Sequence, residues 1–429
     1  MIVVGDDARL SIVSGIRGSR SDRTGRPDTV RILIVQPLFL KGGAERQIAA
    51  LASRFLRNGH SVTLLSCVIE GSDWMTQVIR EGLEVLVATP DGRTARPWIS
   101  MGYLGRLQSI GILGSYLKRN LAALRDYDII NLHNWPSYLS ARSAGLLEID
   151  SPPIVWTCNE PTEFWFSKNP LLRSPLHGFE KKAIKELSCI VVLSTYMQEL
   201  MAARYGVRSR IIAPGLDAGP RREEFIVERR AQPDRLDIAC YARRPFFPVE
   251  VLAKIKRVFP NSMLHLFGPR AELGYRHARR KGLQAHVTVH DWISEAEMAE
   301  FMASMDVMIF HHLAPFGLAA VEALAAGVPV VSIAAGGPLD FIRDGVNGYL
   351  VSDVSSKAFA DVILSHVSAM KSADMRLRCS KDAIQRFSWD KTANQYLELF
   401  GELTDGLGRG EGLVSSRDGR AADSGDGPS

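Results

Sequence analysis

From Arg31 onward the chain alternates short β-branched runs with segments whose apolar residues recur at helical spacing, and it goes through that alternation twice. Runs such as Arg31-Ile-Leu-Ile-Val-Gln-Pro37 are apolar without a period of two, the pattern of a strand covered on both faces of a parallel sheet. The first half yields strands at 31–37, 61–67, 84–88, 129–133, 154–157, 189–194 and 210–213, with a Gly42-Gly43 loop and a helix from about 44 to 58 after the first. The second half yields strands near 236–241, 263–267, 287–290, 307–310, 328–333 and 348–351. This grammar predicts an α/β fold of two Rossmann-like, doubly wound domains facing a central cleft, with ligands bound beyond the carboxyl ends of the strands.

Residues 1–28 and 404–429 hold too little apolar surface to offset ordering entropy and read as disordered tails. The apolar pattern lapses again at 219–235, where Arg221, Arg222, Arg229 and Arg230 crowd together, which makes that stretch the linker between a domain at 29–218 and a second at 236–385. An apolar fraction of 46% excludes disorder over most of the chain, and 52 Lys+Arg against 47 Asp+Glu is too even to argue for a nucleic-acid partner. The basic runs Lys181-Lys182-Lys185 and Arg276–Lys281 suit solvated helix faces, and leave peripheral contact with an anionic membrane open. Five cysteines at least 31 residues apart give neither a zinc pattern nor a disulfide framework. With no run of 18 apolar residues, the expectation is a cytoplasmic protein, at most peripheral at the inner membrane face.

The most informative stretch runs from Ala314 to Pro338. Strand 307–310 leads through a loop into a helix expected to begin near Phe316, and the free amides and positive dipole end of that helix suit an anion such as a pyrophosphate. Glu322 follows on the helix among Ala, Leu and Val; such a lone carboxylate lies at a solvated edge or accepts ribose hydroxyls. Gly336-Gly337 opens another loop where backbone can approach a ligand. Gly42-Gly43 could do the same or serve turn geometry, with Glu45 and Arg46 merely decorating the helix start. His133, at the carboxyl end of its strand, is either satisfied by loop backbone or aimed at a sugar hydroxyl, and Asn159 and Glu160 follow the next strand as candidate acceptor contacts. Arg243-Arg244 after strand 236–241 offers planar cations for phosphate, or a solvated edge.

The 314–338 segment resembles the donor-binding signature of the retaining GT-B-fold glycosyltransferases, the group 1 / family 4 enzymes. Asp344-Gly-Val-Asn-Gly-Tyr-Leu-Val351 is similar to the loop and strand that follow it there. Residues 386–403 resemble the family's closing helix, which returns to the first domain, and Gln36–Glu45 resembles its Gly-Gly-Ala-Glu loop. The resemblance spans about residues 30–403 and implies a nucleotide-sugar donor, with no cofactor and no metal. It also implies an acceptor hydroxyl of unknown identity, a lipid-linked glycan among the options, and a role in glycan, polysaccharide or glycolipid biosynthesis. Under it Glu322 would hold the ribose, the amides of Phe316, Gly317 and Leu318 the phosphates, Arg243 the diphosphate and His133 the reacting sugar. Two departures stand out. The family's second Glu, eight residues before Glu322, is Ala314 here, and Pro245-Phe-Phe-Pro248 occupies the stretch where a diphosphate-binding Lys is expected, leaving Arg244 or Lys254 to substitute. A nucleotide-binding scaffold without turnover and a nucleotide-sugar epimerase are therefore the alternatives to a hexosyltransferase.

Overall fold

The computed structural model describes residues 29–40, 42–88, 103–148, 150–160, 170–216, 234–290, 293 and 295–408. The expected tail at 1–28 and most of the expected linker at 219–235 lie outside the described residues, as does 409–429. The first half contributes β1 (Arg31–Val35), β2 (Leu38–Phe39), β3 (Ser61–Ser66), β4 (Val68–Ile69), β5 (Glu84–Val87), β6 (Ile129–His133), β7 (Ile154–Cys158), β8 (Cys189–Val192) and β9 (Arg210–Ile211). The second contributes β10 (Asp237–Tyr241), β11 (Met263–Phe267), β12 (Val287–His290), β13 (Val307–Phe310), β14 (Val330–Ile333) and β15 (Gly348–Val351).

Two parallel sheets result, ordered β5-β3-β1-β6-β7-β8-β9 and β12-β11-β10-β13-β14-β15. Counting only the strands within each sheet, both follow the doubly wound order 3-2-1-4-5-6, the first with a seventh strand added. The order reverses between β1 and β6 in one sheet and between β10 and β13 in the other, so each has a crevice at that switch point. The two-residue strands β2 and β4 pair beyond the end of the first sheet and are too short to leave a periodicity in the sequence.

The uninterrupted apolar runs have the expected cause. Alternate residues of β1 go to opposite faces: Leu33 and Val35 join one core with Leu132 and Trp156, Ile32 and Ile34 another with Val62 and Val155. Helix Trp389–Gly408 belongs to this second core through Ala393, Tyr396 and Phe400, so the end of the described chain is packed on the first domain. This helix differs from the expected 386–403. Arg386 ends the preceding helix, Phe387 is extended, Ser388 accepts the Lys391 amide at 3.2 Å to start a new helix, and that helix runs through Gly408. The irregular segment after β9 and the start of this helix lie side by side. Thr392 Oγ1 donates to the Ala213 carbonyl at 2.9 Å, and a Cβ on Gly215 would lie 2.2 Å from the Trp389 nitrogen. Only glycine fits that joint between the halves.

Candidate active site

The loops at the two switch points supply the chemistry. After β1 the chain enters helix Gly43–Arg57 through Gly42, whose φ of −152° is ordinary extended backbone. Neither Gly42 nor Gly43 has positive φ, and a Cβ on Gly43 would meet nothing within 4 Å, so turn geometry does not explain the pair. Gly43 borders open space, where its missing side chain leaves room for something else.

Glu45 and Arg46 are not surface decoration either. Glu45 is buried and accepts from Gln36 Nε2 at 3.0 Å, while Gln36 Oε1 accepts from Asn134 Nδ2 at 3.2 Å. Burial raises the Glu45 carboxyl above its ordinary range. Arg46 turns the other way and forms an ion pair with Glu322 of the second domain. Arg106, on helix Tyr103–Arg119, donates to the Trp135 carbonyl at 3.3 Å and feels the charges of both Glu160 and Glu45; burial lowers its pKa.

His133 ends β6 fully buried, with neither ring nitrogen hydrogen-bonded among the described residues. Of the two alternatives for His133, satisfaction by loop backbone is not seen among the described residues. Desolvation pushes its pKa down to about 3, so it is neutral at physiological pH, able to donate from one nitrogen and accept at the other. Asn159 is buried after β7 with both its amide oxygen and its amide nitrogen likewise unpartnered among the described residues, and the Asn134 side-chain oxygen has no partner there either. Orphaned polar groups of this kind cost about 1–3 kcal/mol each unless a ligand or water satisfies them. Glu160 is half-buried, and Arg243 reaches toward it from the second domain to 3.8 Å.

In the second domain the helix begins at Leu318, two residues later than Phe316. Gly317 takes φ 110°, which no residue inside a helix adopts, and the Phe316 side chain is buried against Phe341 and Phe387 at ring distances of 5.4 and 5.6 Å. Only the backbone of Phe316 can serve a ligand. No side chain caps this helix, so its first amides lack intrahelical acceptors. Glu322 sits one turn in, with 11% of its side chain exposed. Gly336 and Gly337 pack against the preceding loop: a Cβ on Gly337 would lie 2.4 Å from the Phe316 Cα, and its amide donates to the Ala314 carbonyl at 3.0 Å. Their small size fixes the loop that presents the helix amides. Arg243 and Arg244 are exposed after β10. Lys254 lies in the last turn of the ten-residue helix Phe246–Ile255 that follows them, about 12 Å along its axis from the first turn, and is removed as a substitute cation.

After β13, His311 is satisfied: its Nε2 lies 2.9 Å from the Arg244 carbonyl, and its ring stacks on Phe247 with centroids 4.5 Å apart. Its neighbour His312 is buried with an Nδ1 that has no partner among the described residues, and burial pushes its pKa down to about 3. Two further contacts join the domains, Ser194 Oγ to the Pro315 carbonyl and the Thr195 amide to Asp340 Oδ2 at 2.7 Å. Residues of both halves thus line one cleft. Sequence reasoning missed Arg46, Arg106 and Gln36 as members of it. The only available signal for Arg46 was a cation in the first turn of a helix, where the dipole disfavours it. Among the described residues no helix is long and apolar enough to cross a membrane.

Residues 41–219 match the model of the family described as Glycosyltransferase Family 4, and residues 243–386 match that of Glycosyl transferases group 1. Glycogen synthase from Mycobacterium tuberculosis is 23% identical over 406 residues, covering 86% of this chain and 94% of its own. Among solved structures, sucrose-phosphate synthase from Thermosynechococcus elongatus superposes with a TM-score of 0.67 at 18% identity, covering 88% of this chain and 99% of its own. Anabaena HepE in complex with UDP and glucose gives a TM-score of 0.65 at 18% identity, covering 87% and 99%. These likenesses fix the fold of both halves.

Proposed function

The chain belongs to the GT-B glycosyltransferases, and on that premise we propose that it transfers a sugar from a nucleotide-sugar to an acceptor hydroxyl with retention of the anomeric configuration. One observation carries the reading: ion pairs from Arg46 to Glu322 and from Arg243 to Glu160 bring charged residues from the two switch points together across a single cleft. In this reading the second domain takes the donor. Glu322 accepts the ribose hydroxyls, the amides at Gly317 and Leu318 meet the diphosphate, and Arg243, with Arg244 nearby, balances its charge. Fixed dipoles and cations aimed at the departing diphosphate would supply most of the rate enhancement. The first domain takes the acceptor. His133 and Asn159, buried and without partners among the described residues, are matched to sugar hydroxyls, and Glu160 borders the acceptor side. The Anabaena protein seen with UDP and glucose supports a uridine nucleotide as the first donor to try. No cofactor is required, and the product belongs to glycan, polysaccharide or glycolipid assembly in the cytoplasm or at the inner face of a membrane.

A second reading, nucleotide binding without turnover, is favoured by Ala314, which presents no carboxylate where the donor sugar would need one. Incubation with a panel of UDP-, GDP- and ADP-sugars plus candidate acceptors, following diphosphate release and the anomeric configuration of the product, separates the two. Transfer with retention is the expected result. Binding without product would leave the scaffold reading standing, sugar interconversion without acceptor would indicate an epimerase, and an inverted product would remove the retaining assignment.

A further inference from the structure

The switch point of the first sheet brings two side-chain amides together. Val35 of β1 pairs with Leu132 of β6, so Gln36 and Asn134 leave neighbouring strands side by side, and Asn134 Nδ2 donates to Gln36 Oε1 at 3.2 Å. Which end of an amide faces which way is decided by its partners. Gln36 Nε2 lies 3.1 Å from the Leu38 carbonyl and 3.0 Å from Glu45 Oε1. A backbone carbonyl only accepts, so the Gln36 nitrogen must face it and the Gln36 oxygen must face Asn134. Asn134 is then forced to offer its nitrogen to Gln36 and to turn its own oxygen away. Gly42 leaves Glu45 the space for its part in this, since a Cβ there would lie 2.5 Å from Glu45 Oε2.

Asn134 is pinned in its other respects too. Among the described residues it is the only non-glycine with positive φ, at 58°, a conformation asparagine tolerates better than most. Its backbone amide donates to the Thr157 carbonyl at 3.0 Å, and its carbonyl accepts from Ser137 Oγ at 2.6 Å and Trp156 Nε1 at 3.3 Å. Only Oδ1 is left without a partner among the described residues, on a residue 7% exposed. An amide oxygen accepts and cannot donate, so it suits a hydroxyl and not a phosphate oxygen. His133 precedes it, and Asn159 and Glu160 follow β7, the strand paired with β6. Glu160 in turn meets Arg243 of the second domain at 3.8 Å. In a donor whose diphosphate rests on Arg243, the sugar is the part that comes next to these residues.

We propose that Asn134 accepts a hydrogen bond from a hydroxyl of the sugar carried by the nucleotide, through an oxygen whose direction Gln36 fixes as a positioning residue. This rests on the nucleotide-sugar reading of the cleft. It gives the first wall a part in choosing the sugar, because an acceptor held in one direction rewards a hydroxyl in one orientation.

Calorimetry with UDP-glucose and UDP, GDP-mannose and GDP, and ADP-glucose and ADP on wild type, Asn134→Gly and Gln36→Met tests this. The members of each pair share nucleoside and diphosphate and differ in the sugar. Asn134→Gly keeps the left-handed turn and removes the oxygen. It is expected to weaken the nucleotide-sugar by about 3- to 10-fold, the range of a neutral hydrogen bond, and the matching nucleotide by less than about 2-fold. Gln36→Met leaves the Asn134 amide free to turn over and should cost the nucleotide-sugar about 2- to 5-fold, again sparing the nucleotide. Equal losses for both members of a pair would make these residues mere supports of the wall and overturn the proposal. No loss with either variant would leave the oxygen to water and overturn it as well. Should Asn134→Gly fail to fold, Gln36→Met decides by the same comparison. If wild type bound none of the six ligands, the nucleotide-sugar reading itself would fall, and the proposal with it.

Discussion

Two histidines stand at the same topological place in the two halves, and they are built for different purposes. His133 ends β6, the fourth strand of the first sheet in doubly wound order; His311 directly follows β13, the fourth strand of the second. Both are buried, and burial pushes their pKa values down to about 3 and about 4 respectively. Yet His311 has a backbone carbonyl at 2.9 Å and a phenyl ring stacked on it, while neither nitrogen of His133 has a partner among the described residues. The contrast extends to the walls around them. Among the described residues, the first wall holds His133, Asn159 and the Asn134 side-chain oxygen without hydrogen-bond partners; the second presents helix amides, Arg243 and Glu322, which the proposed function assigns to diphosphate and ribose. A shared fold sets where a site opens, and the side chains at the switch point decide what it can hold.

The largest expected effect probes the charged wall. Glu322→Ala should weaken nucleoside diphosphate binding by about 10- to 150-fold, the range for a lost charged acceptor. Unchanged nucleotide affinity by calorimetry would strip the second wall of its assigned role. A pH titration sharpens the comparison from the stability side. His133, His311 and His312 have folded pKa values below the unfolded value of 6.5, so the unfolded chain binds more protons in that window. Stability is therefore full above about pH 6.5 and is lost as pH falls toward 4, by about 1.4 kcal/mol per pH unit for each group. Urea unfolding between pH 7 and 5 should show that slope, and His133→Asn should flatten it by one group's share. The smallest effect separates the two histidines directly. His311→Asn should cost about 1 kcal/mol of unfolding free energy, through its lost hydrogen bond, and spare the transfer rate. His133→Asn should slow transfer by about 5- to 10-fold with no comparable loss at pH 7. Reversed outcomes would break the contrast.

Much of this was legible beforehand because it rests on local pattern. Strands β6, β11, β12, β13 and β15 have the bounds their short, apolar-rich and β-branched runs suggest. The helix start at Leu318 was less legible: Phe316 looked like a helix residue, and only the burial of its ring and the left-handed Gly317 push the start later. Arg46 and Arg106 were not legible as site residues. Each gains its role from a partner far along the chain, Glu322 in one case and the Trp135 carbonyl with Glu160 and Glu45 in the other.

What the residue order settles alone is the pair of doubly wound sheets and the loops at their carboxyl ends, because strand burial and helix amphipathicity are written in the spacing of nearby side chains. Which of two similar histidines is left without a partner, and which arginine crosses the cleft, depends on groups that only folding brings within a few ångströms of each other. Hydrogen bonds and ion pairs act over that range and no further, so those decisions belong to the tertiary structure.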